Sequence, residues 1–451
     1  MKIIIMTGRF GMGHLAAAQA IKQQIENKDK TADVEIIDWL MYVSPRYADK
    51  IYQLFTVIAS KGGRLYNDWY LFMENRKTNK KPELGTYFLW CFAKFIEDMK
   101  PDLIISTLPL CSQIASHYMD KRSSSIPLIT CVTDITGHSE WICKNTTFYL
   151  VGSQSVKDKF MRKGVSEDQI LVTGIPVKVE FDIAPSDNRA FPMNKPTKLH
   201  DSSLTYQMKG CSSRKKLLIM GGGLGILPED ISFYIGINQL PKVTVTIITG
   251  RNERLYHRLR GKFEHLNVLG YVNNVCDYMK WADVIITKPG GVTIFEAIHA
   301  TLPILALNPY LQQEIYNADF IRKMHIGSVV SGNSEQCISA IWEFIQDGKL
   351  EFYQQNIHRF KNQLGENGKD QMIAYAIKDI GNRYYEGIYC EQIRIGKNSG
   401  INEKNCRFGE KNIGINEKIS SIKEMNSEVY EKIDENKEKN SGINEKISFN
   451  V

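Results

Sequence analysis

Apolar residues recur along this chain in short blocks separated by longer stretches of mixed character. Lys2–Met6, Val34–Asp38, Leu103–Thr107, Leu128–Thr133, Phe148–Val151 and Ile170–Thr173 are β-rich runs of strand length, and most are separated by enough chain for a helix. Such alternation predicts a parallel sheet covered by helices. A second series follows: Lys216–Met220, Thr244–Thr249, Asn267–Val272, Asp283–Thr287 and Pro303–Leu307, with helical patterns near Pro228–Asn238, Glu253–Phe263, Val275–Trp281 and Val292–Ala300. The expected class is α/β, with two similar sheets in tandem.

Between the two series, residues 184–214 are rich in Pro, Ser, Asn and Lys with little periodicity, the composition of a linker or flexible insertion. Residues 391–451 repeat Gly-Ile-Asn-Glu-Lys at 400–404, 414–418 and 442–446, with uneven spacing and few apolar positions, so a solvated or transiently helical low-complexity tail is expected. The organisation predicted is a domain over 1–183, a linker over 184–214, a domain over 215–390 and a tail over 391–451. A length of 451 residues with 43% hydrophobic content suits two cores.

Composition narrows the setting. The nine cysteines are odd in number and scattered from Cys91 to Cys406, which suggests neither a disulfide framework nor a Cys-x-x-Cys metal pair and favours a reducing cytosol. Asp-x-Asp pairs and clustered His/Cys ligands are absent, so no metal is expected. The start, Met1 to Met6, is too short for a signal-peptide apolar region and reads as a strand, while Tyr87–Ala93 is far too short to cross a bilayer. Any membrane contact should therefore be peripheral, on the inner face of the cell membrane. The tail carries balanced charge, so the net +7 resides in residues 1–390. A modest basic excess suits an anionic ligand or lipid surface, or ordinary solubility, and no nucleic acid partner is expected.

Glycine-rich turns carry the candidate chemistry. The first strand runs into Gly8-Arg9-Phe10-Gly11-Met12-Gly13-His14 and then an Ala-rich helical pattern, a turn that brings backbone N–H groups and a positive dipole end toward an anion or polar substrate. Gly11-x-Gly13-x-x-Ala16, with Asp38 ending the second strand, also fits a dinucleotide fingerprint, so a nicotinamide-dependent oxidoreductase is one reading. It leaves later turns unexplained. Lys216–Met220 leads into Gly221-Gly222-Gly223-Leu224-Gly225, Asp283–Thr287 leads into Lys288-Pro289-Gly290-Gly291, and Thr249-Gly250-Arg251-Asn252 ends a strand between them. Three such loops at one carboxyl edge predict a nucleotide crevice.

These turns, together with Thr133-Asp134-Ile135-Thr136-Gly137-His138-Ser139-Glu140-Trp141-Ile142, Gly174-Ile175-Pro176-Val177 and Glu296-Ala297, resemble the monogalactosyldiacylglycerol synthase and processive diacylglycerol glucosyltransferase family. That family belongs to glycosyltransferase family 28 and is related to the lipid II-forming N-acetylglucosaminyltransferase. The resemblance spans about residues 1–380. It implies a GT-B type fold of two Rossmann-like parallel-sheet domains facing across a cleft. It further implies a donor UDP-glucose or UDP-galactose on the C-terminal domain, a diacylglycerol or glycolipid acceptor on the N-terminal one, inversion at the anomeric carbon and no cofactor. Carried over by residue, it sets Gly222, Gly223 and Gly225 near the diphosphate, with Gly291 in the second loop, and Glu296, at the start of the following helix, on the ribose. Tyr271 and Val272 fall beside uracil, Arg251 lies close to the nucleotide, and Gln313, Glu314 and Asn317 form a Gln-Glu-x-x-Asn element, its first two residues on sugar hydroxyls. Two departures fall here: Leu311-Gln312 replaces Pro-Gly before Gln313, and Phe295 stands where a small residue precedes Glu296.

Displacing UDP by an alcohol requires a base on the hydroxyl and exclusion of water. His14 is the first candidate, since an imidazole titrates near neutrality. Asp134 and His138, four residues apart in one loop, are the alternative, a carboxylate orienting or replacing an imidazole. On the acceptor side, the segment from Arg46 to Phe95 mixes Tyr47, Tyr52, Phe55, Tyr66, Trp69, Tyr70, Phe72, Phe88, Trp90 and Phe92 with Lys50, Lys61, Arg64, Arg76, Lys77, Lys80 and Lys81. It reads either as a docking surface for an anionic membrane or as a core helix pair with a basic turn. A catalytically silent UDP-sugar sensor using the same crevice also fits.

Overall fold

The computed structural model describes residues 1–61, 63–74, 85–182, 214–346 and 348–364. The expected tail, most of the expected linker, and Arg76, Lys77, Lys80 and Lys81 lie outside the described residues.

Two six-stranded parallel sheets carry the fold. The first takes β1 (Lys2–Thr7), β2 (Asp33–Asp38), β3 (Leu103–Ser106), β4 (Leu128–Cys131), β5 (Phe148–Val151) and β6 (Ile170–Val172) in the order β2-β1-β3-β4-β5-β6. The second takes β7 (Lys215–Met220), β8 (Val243–Ile248), β9 (Leu266–Leu269), β10 (Val284–Thr287), β11 (Ile304–Leu307) and β12 (Gly327–Val330) in the order β12-β11-β10-β7-β8-β9. Each order reverses once, between β1 and β3 and between β7 and β10. At such a point the flanking connections leave in opposite directions and open a crevice at the carboxyl edge.

The central strands are largely apolar because helices cover both faces. Side chains alternate between the two layers: Ile3 and Ile5 pack with Ala18, Ile21 and Ile25 of the Gly13–Lys28 helix, while Ile4 and Met6 pack with Phe92 and Phe95 of the Gly85–Met99 helix. The second sheet sorts Leu217 and Ile219 from Leu218 and Met220 in the same way.

One core cluster draws side chains from both sheets, and Phe295 sits within it, fully buried. Its ring packs on Phe320 and Phe360. A Cβ at Gly174 or Gly152 of the N-terminal half would approach that ring to 3.1 or 3.4 Å. The bulky residue that departs from the family pattern therefore fills the core between the lobes, matched by glycines opposite, and losing such a ring typically costs roughly 3–5 kcal/mol.

Three sequence expectations shift. Strand β9 ends at Leu269 rather than Val272, so Tyr271 and Val272 lie in the turn that follows. Glu296 lies in the second turn of the Gly291–His299 helix, not at its start. Strand β12 gave little signal, because it is a sheet edge with three of four residues only partly buried.

Candidate active site

Both crevices open where glycine turns leave the central strands. In the N-terminal lobe, β1 ends at Thr7 and the chain turns through Gly11, whose φ of 74° suits glycine. It enters the Gly13–Lys28 helix at Met12, which supplies no side-chain cap. His14 thus rides on a helix N-terminus. Its Nδ1 lies 2.7 Å from the Thr107 carbonyl oxygen at the end of β3 and 2.8 Å from Thr133 Oγ1 just past β4. A carbonyl oxygen can only accept, which assigns the proton to Nδ1 and leaves the Nε2 lone pair without a partner among the described residues. Burial lowers the His14 pKa from its ordinary 6.5, opposed by the hydrogen bond to Thr107 and the nearby charge of Asp134.

Asp134 is held in turn. One carboxylate oxygen accepts from Thr136 N and Oγ1 at 3.1 and 2.9 Å, the other from Trp141 Nε1 at 2.8 Å. His138 is situated differently. It is 2% exposed; Nδ1 accepts from Glu140 N at 3.2 Å, and Nε2 donates to the Tyr70 carbonyl at 3.0 Å beneath the Tyr70 ring. With one nitrogen engaged within the loop and the other on the Gly63–Glu74 helix, none is left for proton transfer. Of the two imidazoles singled out from sequence, only that of His14 presents an unengaged nitrogen.

In the C-terminal lobe, Gly221–Gly225 folds back on itself, with Gly225 N donating to Gly222 O and Ile226 N to Gly221 O, both at 3.0 Å. A Cβ on Gly225, at φ 66°, would lie 1.7 Å from Thr249 O. Gly225 thus serves the shape of the turn, and its N–H is spent there. The Asn252 side chain donates to Gly225 O and caps Leu255 N, both at 3.0 Å. The Arg251 guanidinium lies over the Tyr271 ring at 5.7 Å, with Tyr271 53% exposed and Val272 buried.

The second loop approaches the N-terminal lobe directly. A Cβ at Gly291 would sit 2.4 Å from Thr133 O and 3.2 Å from Asp134 Cα, and one at Gly13 would lie 3.5 Å from Val292. The N-termini of the Gly13–Lys28 and Gly291–His299 helices therefore converge, and both positive dipole ends face one crevice. Burial pushes the Glu296 carboxyl up to about 7, with Lys178 opposing. No hydrogen-bond or ion-pair partner is recorded for it among the described residues. Asp38, by contrast, is committed: it accepts from Arg9 Nε at 2.8 Å, Tyr52 Oη at 2.5 Å and Met41 N at 3.1 Å. That removes the ribose ligand of the dinucleotide reading.

The Gln-Glu-x-x-Asn element is bound into the protein. Glu314 lies 2.5 Å from Lys288 Nζ and accepts from Tyr310 N and Leu311 N at 3.1 and 3.3 Å. Proline at 311 would lack that last N–H. Asn317 joins the lobes, donating to Pro289 O at 2.9 Å and accepting from Ile135 N at 3.4 Å. Gln313 Oε1 accepts from Tyr66 Oη at 3.1 Å, and Asn67 clamps the loop by accepting from Gln312 N at 2.7 Å and donating to Tyr310 O at 3.0 Å. Asn67 and Thr107 carried no sequence signal as site residues, and Tyr66, Trp141 and Lys288 appeared only within a segment, motif or loop without these roles, since most of them act through a partner far along the chain.

The Arg46–Phe95 segment divides between its two readings. Its described part forms the helices Ala48–Lys61, Gly63–Glu74 and Gly85–Met99. Tyr52, Tyr70 and Phe92 are buried, whereas Tyr47, Leu54, Val57, Phe72 (56% exposed) and Trp90 (63% exposed) face solvent. No described helix is long and apolar enough to cross a membrane.

Residues 14–177 match the family model for monogalactosyldiacylglycerol (MGDG) synthase and residues 217–371 that for the glycosyltransferase family 28 C-terminal domain. Among curated proteins the chain is similar to the processive diacylglycerol beta-glucosyltransferase of Staphylococcus carnosus (strain TM300), at 27% identity over 77% of this chain and 85% of the relative. It is also similar to the protein of that name from Bacillus mycoides (strain KBAB4), at 29% identity over 74% and 83%. Among solved structures, the kitacinnamycin glycotransferase aligns with TM-score 0.53 at 13% identity, covering 84% of this chain and 98% of that one. The S. aureus MnaA–UDP co-structure aligns with TM-score 0.50 at 12% identity, covering 79% and 90%. These likenesses show the fold: two Rossmann-like domains of GT-B type.

Proposed function

This chain is a glycosyltransferase belonging to the monogalactosyldiacylglycerol synthase and glycosyltransferase family 28 family, and we propose that it transfers glucose from UDP-glucose to diacylglycerol with inversion at the anomeric carbon. The observation that carries the reading is His14: a proton-free Nε2 at the meeting point of two helix N-termini. In this mechanism Nε2 takes the proton of the acceptor hydroxyl as its oxygen attacks the anomeric carbon. The bond to the UDP oxygen breaks with its electron pair leaving on UDP, and Asp134 stabilises the imidazolium that forms until solvent takes the proton. The charge growing on UDP meets the two helix dipoles and the backbone of Gly222 and Gly223. Glu296 receives the ribose hydroxyls, Tyr271 and Val272 flank uracil with Arg251 beside them, and Gln313 is the group on the sugar hydroxyls.

The acceptor reading rests on the names of the relatives and on the exposed apolar side chains of the three helices, whose contact with water is unfavourable by about 25 cal/mol per Å². These suit monotopic docking on the inner leaflet. Purified protein with diacylglycerol micelles and UDP-glucose should release UDP and form glucosyldiacylglycerol; UDP-galactose turnover alone would move the donor assignment, and no product from either would refute the reading. The sensor alternative draws on one observation, that Glu314 is already neutralised by Lys288. A sensor would bind UDP-glucose and release no UDP.

A further inference from the structure

A pocket of about 310 Å³ lies beside the Asp134–Glu140 loop, lined in part by Glu74, Thr136, Lys159, Arg162, Lys163 and Tyr316, and it shares no lining residue with the groups assigned to the donor. Its floor is the catalytic-side loop, its wall the Gln154–Arg162 helix, and Tyr316 reaches it from the C-terminal lobe. The cations are unequally committed. Lys163 Nζ has three acceptors for its three protons: Glu74 Oε1 at 2.5 Å, Gly137 O at 2.9 Å and Ser139 Oγ at 3.0 Å. Lys159 Nζ spends one proton on Thr136 O at 2.8 Å and lies 5.7 Å from the Tyr316 ring centre. Arg162 is exposed and has no hydrogen-bond or ion-pair partner among the described residues. The pocket therefore holds two ammonium protons and a guanidinium fork with no acceptor, and its one lining carboxylate is already paired.

Lys323 adds a further positive charge within reach of Lys159, and burial together with Lys163 and Lys323 lowers the Lys159 pKa, against Asp134 and Glu74. A partly desolvated Lys159 crowded by other cations, beside the exposed Arg162 with its donors uncommitted, is a setting that a multivalent oxyanion relieves. We propose that this pocket is a second ligand site, for a phosphate group, bound by Lys159 and Arg162. Phosphate there neutralises the like charges above Thr136 and Gly137 and stiffens the loop that holds Asp134. It has two possible sources, inorganic phosphate or an anionic phospholipid headgroup, the latter suggested because the Gly63–Glu74 helix that supplies Tyr70 and Glu74 also exposes Leu71 and Phe72.

Binding, read by isothermal titration of the full chain, does not depend on the enzyme assignment. Inorganic phosphate and neutral detergent micelles with and without phosphatidylglycerol are the probes, each with wild type, Arg162→Gln and Lys159→Gln. Saturable binding that weakens about ten- to a hundredfold in either variant, the usual effect of losing a charge-assisted contact, with UDP affinity unchanged, supports the site. Competition by phosphatidylglycerol micelles identifies a headgroup; binding of phosphate without such competition identifies a soluble ion. Absence of binding by both probes overturns the proposal, as does equal binding by wild type and Arg162→Gln, a surface substitution that leaves the fold intact. A failed transferase assay with phosphate binding intact would count against the enzyme reading alone.

Discussion

At the carboxyl edge of the first sheet the turn from Gly8 runs straight into a helix and ends on a side chain, His14; at the same edge of the second sheet Gly221–Gly225 folds back on itself and leaves only backbone. Open space surrounds a Cβ on Gly11, whereas one on Gly225 would collide with Thr249 O. In the proposed mechanism the first turn delivers a titratable group to the reacting atom, and the second forms a close-fitting wall for the diphosphate. The difference shows that glycine-rich turns at two switch points can serve opposite purposes, decided by what the next strand places beneath the turn.

The largest effect should come from the side chain. His14→Ala should lower turnover by about two to four decades while UDP affinity stays near normal; near-normal turnover would remove His14 from the mechanism. Glycine substitutions should then separate the turns. Gly11→Ala costs about 1–2 kcal/mol, the left-handed backbone penalty alone, and the protein still binds UDP. Gly225→Ala adds a steric clash and should abolish measurable UDP binding, so thermal melts and UDP titration on the pair would break the comparison if they came out alike.

Titration sharpens it further, because the two lobes carry opposite shifts. The His14 pKa is lowered by burial, so the proton-free base persists below the ordinary 6.5 and the acidic limb of kcat/KM should fall below pH 6.5. Asp134→Asn, which removes charge favouring the imidazolium, should move that limb lower still; a shift upward would contradict the pairing. Glu296 is raised to about 7. Its proton favours the ligand-free fold fully below about 4.5, the usual carboxyl value, and that contribution is lost as pH rises through 7. Glu296→Gln should therefore melt increasingly above wild type between pH 4.5 and 7. The smallest effect should be that of Asn67→Ala, which frees the Tyr310–Gln312 loop: a several-fold rise in donor KM with kcat little changed.

Much of the fold was legible because parallel strands covered on both faces must be apolar throughout, which marks ten of the twelve strands closely, with β9 overrun and β12 missed. The exceptions have plain causes. Gly270 ends β9 before an apolar Tyr-Val pair, and β12 lies at an edge where burial no longer demands apolar residues. Leu311 and Phe295 departed from the family pattern for reasons visible only in three dimensions. Leu311 supplies an N–H to Glu314, and Phe295 fills the core between the lobes opposite Gly152 and Gly174.

What the chain determined alone was local: glycine turns after apolar strands, hence two crevices, and an imidazole at one of them. Periodicity and backbone permissiveness act over a few residues, so they can be read in order along a sequence. Tertiary structure alone decided which histidine keeps a nitrogen unengaged, because the partners that differ between His14 and His138, Thr107 and Tyr70, lie 93 and 68 residues away. It also decided that the Tyr310–Gln313 loop is held by Tyr66 and Asn67 of the opposite lobe, some 245 residues distant. Hydrogen bonds act over about 3 Å whatever the chain separation, and only folding determines which groups come within that distance.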